Sequence, residues 1–183
     1  MARVPYLSPE DLPPEHRDLL KRPITLHRAL VNSPGMARAF GTLGGHIRYG
    51  STLDPRLREL AIIQVGYLTR SAYEYSHHCR LGMEQFGVSE ADIHGITRET
   101  EGGEGGFGEI ETAVLRAARE MTTDLAVSDA TFAALEARME RADLIDLIVT
   151  IGFYCGVVRI LGSLEIDVED DYAPWLQRFP LPA

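Results

Sequence analysis

DPRLRELAIIQVGYLTRSAYEYSHHCRLGMEQFG, residues 54–87, decides the fold. Asp54-Pro55 is a helix start: a capping carboxylate, then proline at the first helical position, where its missing N–H has no partner to lose. The segment after it, Arg56 to Leu68, is apolar on nearly every face and is broken only by Arg58, Glu59 and Gln64. A helix apolar all round is a buried helix. Ser71-Ala72-Tyr73-Glu74 opens a second helix, predicted to run to about Phe86 and to stop at Gly87. Glycine is the residue that most readily takes the left-handed conformation found at helix ends.

Outward from this pair the chain keeps the helical period. Ile24 to Tyr49 reads as helix, with Ser33-Pro34 opening one segment and Gly44-Gly45 weakening it. Ser89-Glu90-Ala91-Asp92 begins a short helix to about Thr97, followed by the acidic glycine loop at 101–106. Further helices are predicted at about 108–125, 129–139 and 142–162. No segment alternates as a strand does. The expected fold is all-α: one compact helical bundle over residues 24–165. A Pro-rich arm at 1–23 carries one short helix begun by Ser8-Pro9-Glu10-Asp11. The tail at 166–183 is expected to be irregular because of Pro174, Pro180 and Pro182.

A length of 183 residues suits one domain with a sizeable core. The net charge of −9 argues against nucleic acid as a partner, since no basic excess exists to neutralise phosphates. It also gives no long-range attraction for an anionic substrate, so a carboxylate ligand would need a local arginine. Cys79 and Cys155 make no disulfide framework, and the opening residues carry no apolar leader core, so a cytoplasmic location is expected. The longest apolar run, Leu147 to Leu161, contains Thr150 and Arg159 and is too short and broken for a membrane span. It reads instead as a core helix or a subunit interface.

Chemistry concentrates on the helix after Ser71. On a wheel of about 100° per residue, Ser71, Glu74 and His78 fall within roughly 60° of one another. Tyr75, Leu81, Gly82 and Phe86 lie beside them, while Ser76, His77, Arg80 and Glu84 lie opposite. A carboxylate and an imidazole at i and i+4 therefore share an apolar stripe, where ionisable groups are rarely placed unless paired or functional. Glu59 repeats the pattern one helix earlier, flanked by Ile62, Ile63 and Gly66. Burial raises a carboxyl pKa and a neighbouring imidazolium lowers it, a balance suited to moving protons near neutral pH. Plainer readings stand beside this one. Ser71 and Glu74 fit a capping box, His78 fits a satisfied core histidine, and Glu59 fits a first-turn complement to the helix dipole.

Two other signals carry little. Gly103-Glu104-Gly105-Gly106-Phe107-Gly108 matches a dinucleotide fingerprint, but no strand precedes it and the loop is acidic. His77-His78-Cys79 cannot supply three ligands to one metal, because adjacent helical residues point apart. No metal and no cofactor are expected.

Arg58-Glu59-Leu60-Ala61, then Tyr73-Glu74-Tyr75-Ser76-His77-His78, then Gly87-Val88-Ser89 resemble the signature of the carboxymuconolactone decarboxylase and alkylhydroperoxidase-D-like family, with Tyr75 in place of its usual tryptophan. The stretch Asp143 to Leu161, with Gly152-Phe153-Tyr154 and Arg159, is similar to the family's C-terminal helix. The resemblance implies that Glu59, Ser71, Glu74 and His78 occupy the positions of the peroxidase branch's glutamate, its two cysteines and its histidine. Both thiols are gone, so the dithiol peroxide cycle is unavailable there. The decarboxylase branch has a glutamate at the second position, as here. The resemblance therefore implies a cofactor-free acid–base enzyme acting on a small unsaturated or carbonyl-containing carboxylic acid or lactone. His78 would be the proton donor, Glu74 its tuning partner and Glu59 a second acid or base. Arg159 and Tyr75 are the expected substrate-binding residues. Two alternatives remain: a peroxide-reducing antioxidant using Cys79, and a non-enzymatic helical oligomer in which these polar groups are structural. Family members are commonly homo-oligomers, and the arm and the apolar C-terminal helix are consistent with that.

Overall fold

The computed structural model describes residues 2–182, with no strand among them. The chain forms α1 (Thr25–Leu30), α2 (Pro34–Tyr49), α3 (Pro55–Leu68), α4 (Ala72–Gln85), α5 (Glu90–Thr100), α6 (Glu109–Thr123), α7 (Asp129–Glu136), α8 (Arg141–Leu164) and α9 (Ala173–Arg178), with three short 3-10 turns. Asp54 caps α3, its carboxylate accepting the Leu57 N–H at 3.0 Å. Every residue from Arg58 to Tyr67 is buried. The reason is a sandwich. Ala61, Ile62 and Val65 join an apolar cluster with α6 and α8, while Leu60, Ile63 and Tyr67 join another with α4 and α5. A helix between two cores has no side left for polar residues.

The turn from α3 into α4 is tight. Ser71 donates its N–H to the Gly66 carbonyl at 3.0 Å, and Arg70 takes a positive φ of 51° between them. A Cβ on Gly66 would lie 3.0 Å from the Tyr75 backbone, so glycine sets how closely the two helices approach. Gly87, at φ 75°, follows the end of α4 as expected.

The structure corrects several expectations. Ser76 and His77 fall on the solvent side of the α4 wheel, yet both are buried, because the C-terminal segment covers that side. The tail is not irregular: Asp170–Tyr172 forms a 3-10 turn, α9 follows, and Phe179 is buried in the second cluster. The arm holds two 3-10 turns rather than one helix, Pro9–Asp11 and Pro14–Leu20. It bonds back onto its own chain, through Leu7 N–H to Arg28 and Arg3 N–H to Leu164. The last long helix, α8, has 24 residues and is by length and composition enough to cross a membrane, but half of its most apolar window is buried, against α3 and α6.

Candidate active site

Antiparallel neighbours α3 and α4 bring together Glu59 and His78, nineteen positions apart. His78 Nδ1 lies 2.6 Å from Glu59 Oε2, and its Nε2 lies 2.9 Å from Glu74 Oε1. Both ring nitrogens thus meet carboxylate oxygens, the first in a hydrogen bond and the second as an ion pair, and with both carboxylates ionised each contact is favourable only if its nitrogen carries a proton. Burial opposes that charge, but Glu59 and then Glu74 outweigh it and hold His78 above the usual imidazole range. Burial likewise pushes the Glu59 carboxyl up. The His78 charge and hydrogen bond, with Arg58 and Arg48 behind them, overcome it and hold the carboxyl below the usual range. The second Glu59 oxygen accepts from Arg58 Nε and Nη2 at 3.2 and 3.1 Å. Arg58 itself is only 3% exposed, stacks over Phe86 and donates to the Arg48 carbonyl.

The capping-box reading of Ser71 and Glu74 holds only by half. Ser71 Oγ accepts the Glu74 N–H, but the Ser71 N–H is already bonded to Gly66. The Glu74 carboxylate is left to turn toward His78.

A cavity of about 250 Å³ reaches this pair. Glu74 and His78 line it; Glu59, with no exposed surface, sits behind His78 and does not. Glu74 faces the space a ligand would fill, and Glu59 fixes His78 from the protein side. The apolar walls come from Ile24, Leu26, Phe40, Leu81, Phe153 and Val157. Tyr154, buried and edge-on to His78 with ring centroids 4.9 Å apart, completes the inner end. His77, also on the wall, is stacked between Tyr73 and Tyr172 at 4.0 and 3.5 Å. Its Nδ1–H donates to the Tyr73 carbonyl at 2.8 Å, while its Nε2 lies 3.1 Å from Glu169 Oε2 without hydrogen-bond alignment.

Neither expected substrate-binding residue lines the cavity. Arg159 is exposed on α8 and folds onto the Cys155 carbonyl of its own helix. Tyr75 is buried on the far side of α4, packed against Tyr67 and Cys79. The arginines that do line the cavity are Arg48 and Arg22. Sequence reading missed both, although a signal was present. Gly41, Gly44, Gly45 and Arg48 lie at i, i+3, i+4 and i+7 on α2, one helical face that is empty of side chains until its arginine. Cys79 is fully buried in the second cluster, away from the cavity, and burial pushes its thiol well above the usual range. Among the described residues no group of three histidine, cysteine or acidic side chains is arranged to hold a metal ion.

Residues 34–120 match the model of the carboxymuconolactone decarboxylase family, a span that takes in Glu59, Glu74 and His78. No curated protein sequence matches the chain. Solved structures do. Debrominase Bmp8, in a cysteine-to-alanine variant bound to 2,3,4-tribromopyrrole, is 18% identical with a TM-score of 0.80, over 98% of each chain. A peroxidase-related protein with an alkylhydroperoxidase AhpD core, from Ralstonia eutropha JMP134, is 17% identical with a TM-score of 0.79, over 99% of this chain and 98% of that one. A candidate antioxidant defence protein AhpD from Agrobacterium tumefaciens is 20% identical with a TM-score of 0.68, over 76% of this chain and 94% of that one. At these identities the likeness is one of fold.

Proposed function

We propose, from the match of residues 34–120 to the carboxymuconolactone decarboxylase family model, that this chain is a cofactor-free acid–base enzyme that moves a proton to or from carbon. Its substrate is a small unsaturated or carbonyl-containing carboxylic acid or lactone. One observation carries the reading: a carboxylate at the cavity wall, Glu74, is linked through His78, paired at both ring nitrogens, to a second, buried carboxylate, Glu59. Glu74 meets the substrate at the cavity wall, and the charged imidazole beside it can resupply the proton.

In a decarboxylation the C–C bond to the departing carboxylate breaks, CO₂ leaves, and the electron pair delocalises toward the carbonyl or lactone oxygen as a dienolate. His78 passes its Nε2 proton to Glu74, which delivers it to carbon; His78 is left neutral until solvent returns a proton to Nε2. Glu59 keeps Nδ1 protonated and the ring oriented throughout, as the rear partner in a histidine relay does. The apolar walls exclude water from the developing charge and so strengthen every electrostatic contact within. The thiol alternative finds no support at Cys79, which has neither the access nor the low pKa that peroxide chemistry needs. Self-association belongs to the same proposal, supported by exposed Ile145 and Val149 on α8 and Met36 and Leu43 on α2.

The test uses unsaturated γ-lactone acids in deuterium oxide, with CO₂ release and deuterium incorporation followed by mass spectrometry. Wild type is expected to release CO₂ and to place one deuterium on carbon. Glu74→Gln, similar in shape but unable to give a proton, should lower turnover by about 10²-fold or more. Undiminished turnover in that variant, or no turnover by wild type on any lactone or carbonyl acid, overturns the reading.

A further inference from the structure

The protein is acidic overall, at −9, yet the neighbourhood of the cavity is not. Arg22 and Arg48 line it, with the His78 imidazolium at its wall and Arg58 just behind. These four cations face two carboxylates, Glu59 and Glu74, that already answer His78 and Arg58. Counting Glu169 beyond His77 still leaves a positive excess. Buried or half-buried charge is retained only where something answers it. Arg58 has its answer in Glu59, which Arg48 feels only at longer range; among the described residues no carboxylate lies within ion-pair distance of Arg48 or Arg22. Arg48 is half-buried with Tyr154 as its neighbour, and Arg22 is half-buried at the rim, with its carbonyl engaged by His27. The bare face of Gly41, Gly44 and Gly45 leaves the approach to Arg48 open from the cavity side.

We propose that Arg48, assisted by Arg22, is an anion-binding subsite that holds a carboxylate of the substrate which is kept through the reaction. This rests on the reading of the cavity as the active site and adds the substrate's charge and size. A carboxylate paired with arginine is stabilised as an anion, whereas a carboxylate about to leave as CO₂ must give up its charge. Ion pairing at Arg48 therefore favours the group that stays, and the reacting carbon lies toward Glu74. A cavity of about 250 Å³ exceeds the roughly 150 Å³ that accommodates benzene. It suits one ring, or a conjugated chain of similar size, bearing an acidic substituent.

Benzoate and its neutral isostere benzamide probe this directly by calorimetric titration, because neither offers a group to be turned over. Benzoate should bind at least about tenfold more tightly than benzamide, with the difference shrinking in high salt. Arg48→Met should weaken benzoate by about tenfold and leave benzamide within about twofold, Arg48→Lys should recover part of the loss, and Arg22→Met should lose about threefold. Arg159→Met should bind as wild type does. No benzoate binding, equal binding of the two probes, or full binding by both Arg48→Met and Arg22→Met overturns the proposal. Should Arg48→Met fail to fold, Arg48→Lys and Arg22→Met still decide it. Glu74→Gln separates the two readings. It should lose turnover but bind benzoate at least as tightly as wild type, since a negative charge in the cavity wall is gone; a failed anchor with intact turnover removes the subsite alone.

Discussion

Two adjacent histidines of α4 are buried to nearly the same degree, His77 at 7% and His78 at 4% exposed, in environments that ask different things of them. His78 sits between two carboxylates and must carry both ring protons to satisfy them. His77 sits between two tyrosine rings, with one nitrogen bonded to the carbonyl one turn back. Depth does not distinguish them; partners do. The first arrangement holds charge next to a cavity, and the second clamps the C-terminal segment to the cavity wall.

The sharpest way to break this contrast is to remove each ring in turn. His78→Gln leaves Glu59 buried with Arg58 as its one ion-pair partner, and should lose about 3–5 kcal/mol of stability and about 10²–10⁴-fold in turnover. His77→Gln gives up stacking and one hydrogen bond, about 1–2 kcal/mol, and should leave turnover within a few-fold. Urea denaturation and the deuterium assay read both. Equal activity losses would end the distinction between relay and clamp.

The pH dependence sharpens it next. His78 is raised above the ordinary imidazole value of 6.5, so its contribution is complete below that pH and is lost as pH rises through the folded value. Glu59 is lowered from 4.5, so its contribution is present above that pH and is lost as pH falls through the folded value. The stability gap between wild type and His78→Gln should therefore be widest between 4.5 and 6.5. A gap that stays flat from acid to alkaline pH would contradict the pairing.

The clamp gives a smaller effect. Burial raises Glu169, but His77 and the Thr25 N–H outweigh it and bring its carboxyl down to about 2. Glu169→Gln should lose about 1–2 kcal/mol near neutral pH, through weakened bonds to Thr25 and Tyr73. The difference should close as pH falls from 4.5 toward about 2. Smallest of all, Arg70→Gly removes a left-handed arginine from the α3–α4 turn and should stabilise the fold by about 0.5–1 kcal/mol. Thermal melts measure both.

Most of the helical framework is legible in the sequence because its signals are local: Asp54-Pro55 at the start of α3, Ser71 before α4, Gly87 after it. The pairing of Glu59, Glu74 and His78 is legible as a shared apolar stripe. What the wheel cannot supply is direction across the fold. It exposes Ser76 and His77 because nothing local says that the C-terminal segment, which sets Glu169 and Tyr172 against His77 from nearly a hundred residues on, returns to that side. The same limit puts the anion contact on Arg159. An arginine on an apolar helix looks inward-facing, but α8 is buried on one side only and Arg159 lies on the other. Arg48 escapes notice because the glycines near it read as a weak helix, when their missing side chains are the cavity.

The 2.6 Å contact between Glu59 and His78 also ties the fates of α3 and α4 together. Opening either helix alone would strand an ion in a dry core, so partial unfolding of this hairpin is disfavoured. Amide protons of residues 60–66 and 75–82 should then exchange with deuterium as one block, released only when the whole molecule opens. Those of α9 and the arm should exchange earlier and independently.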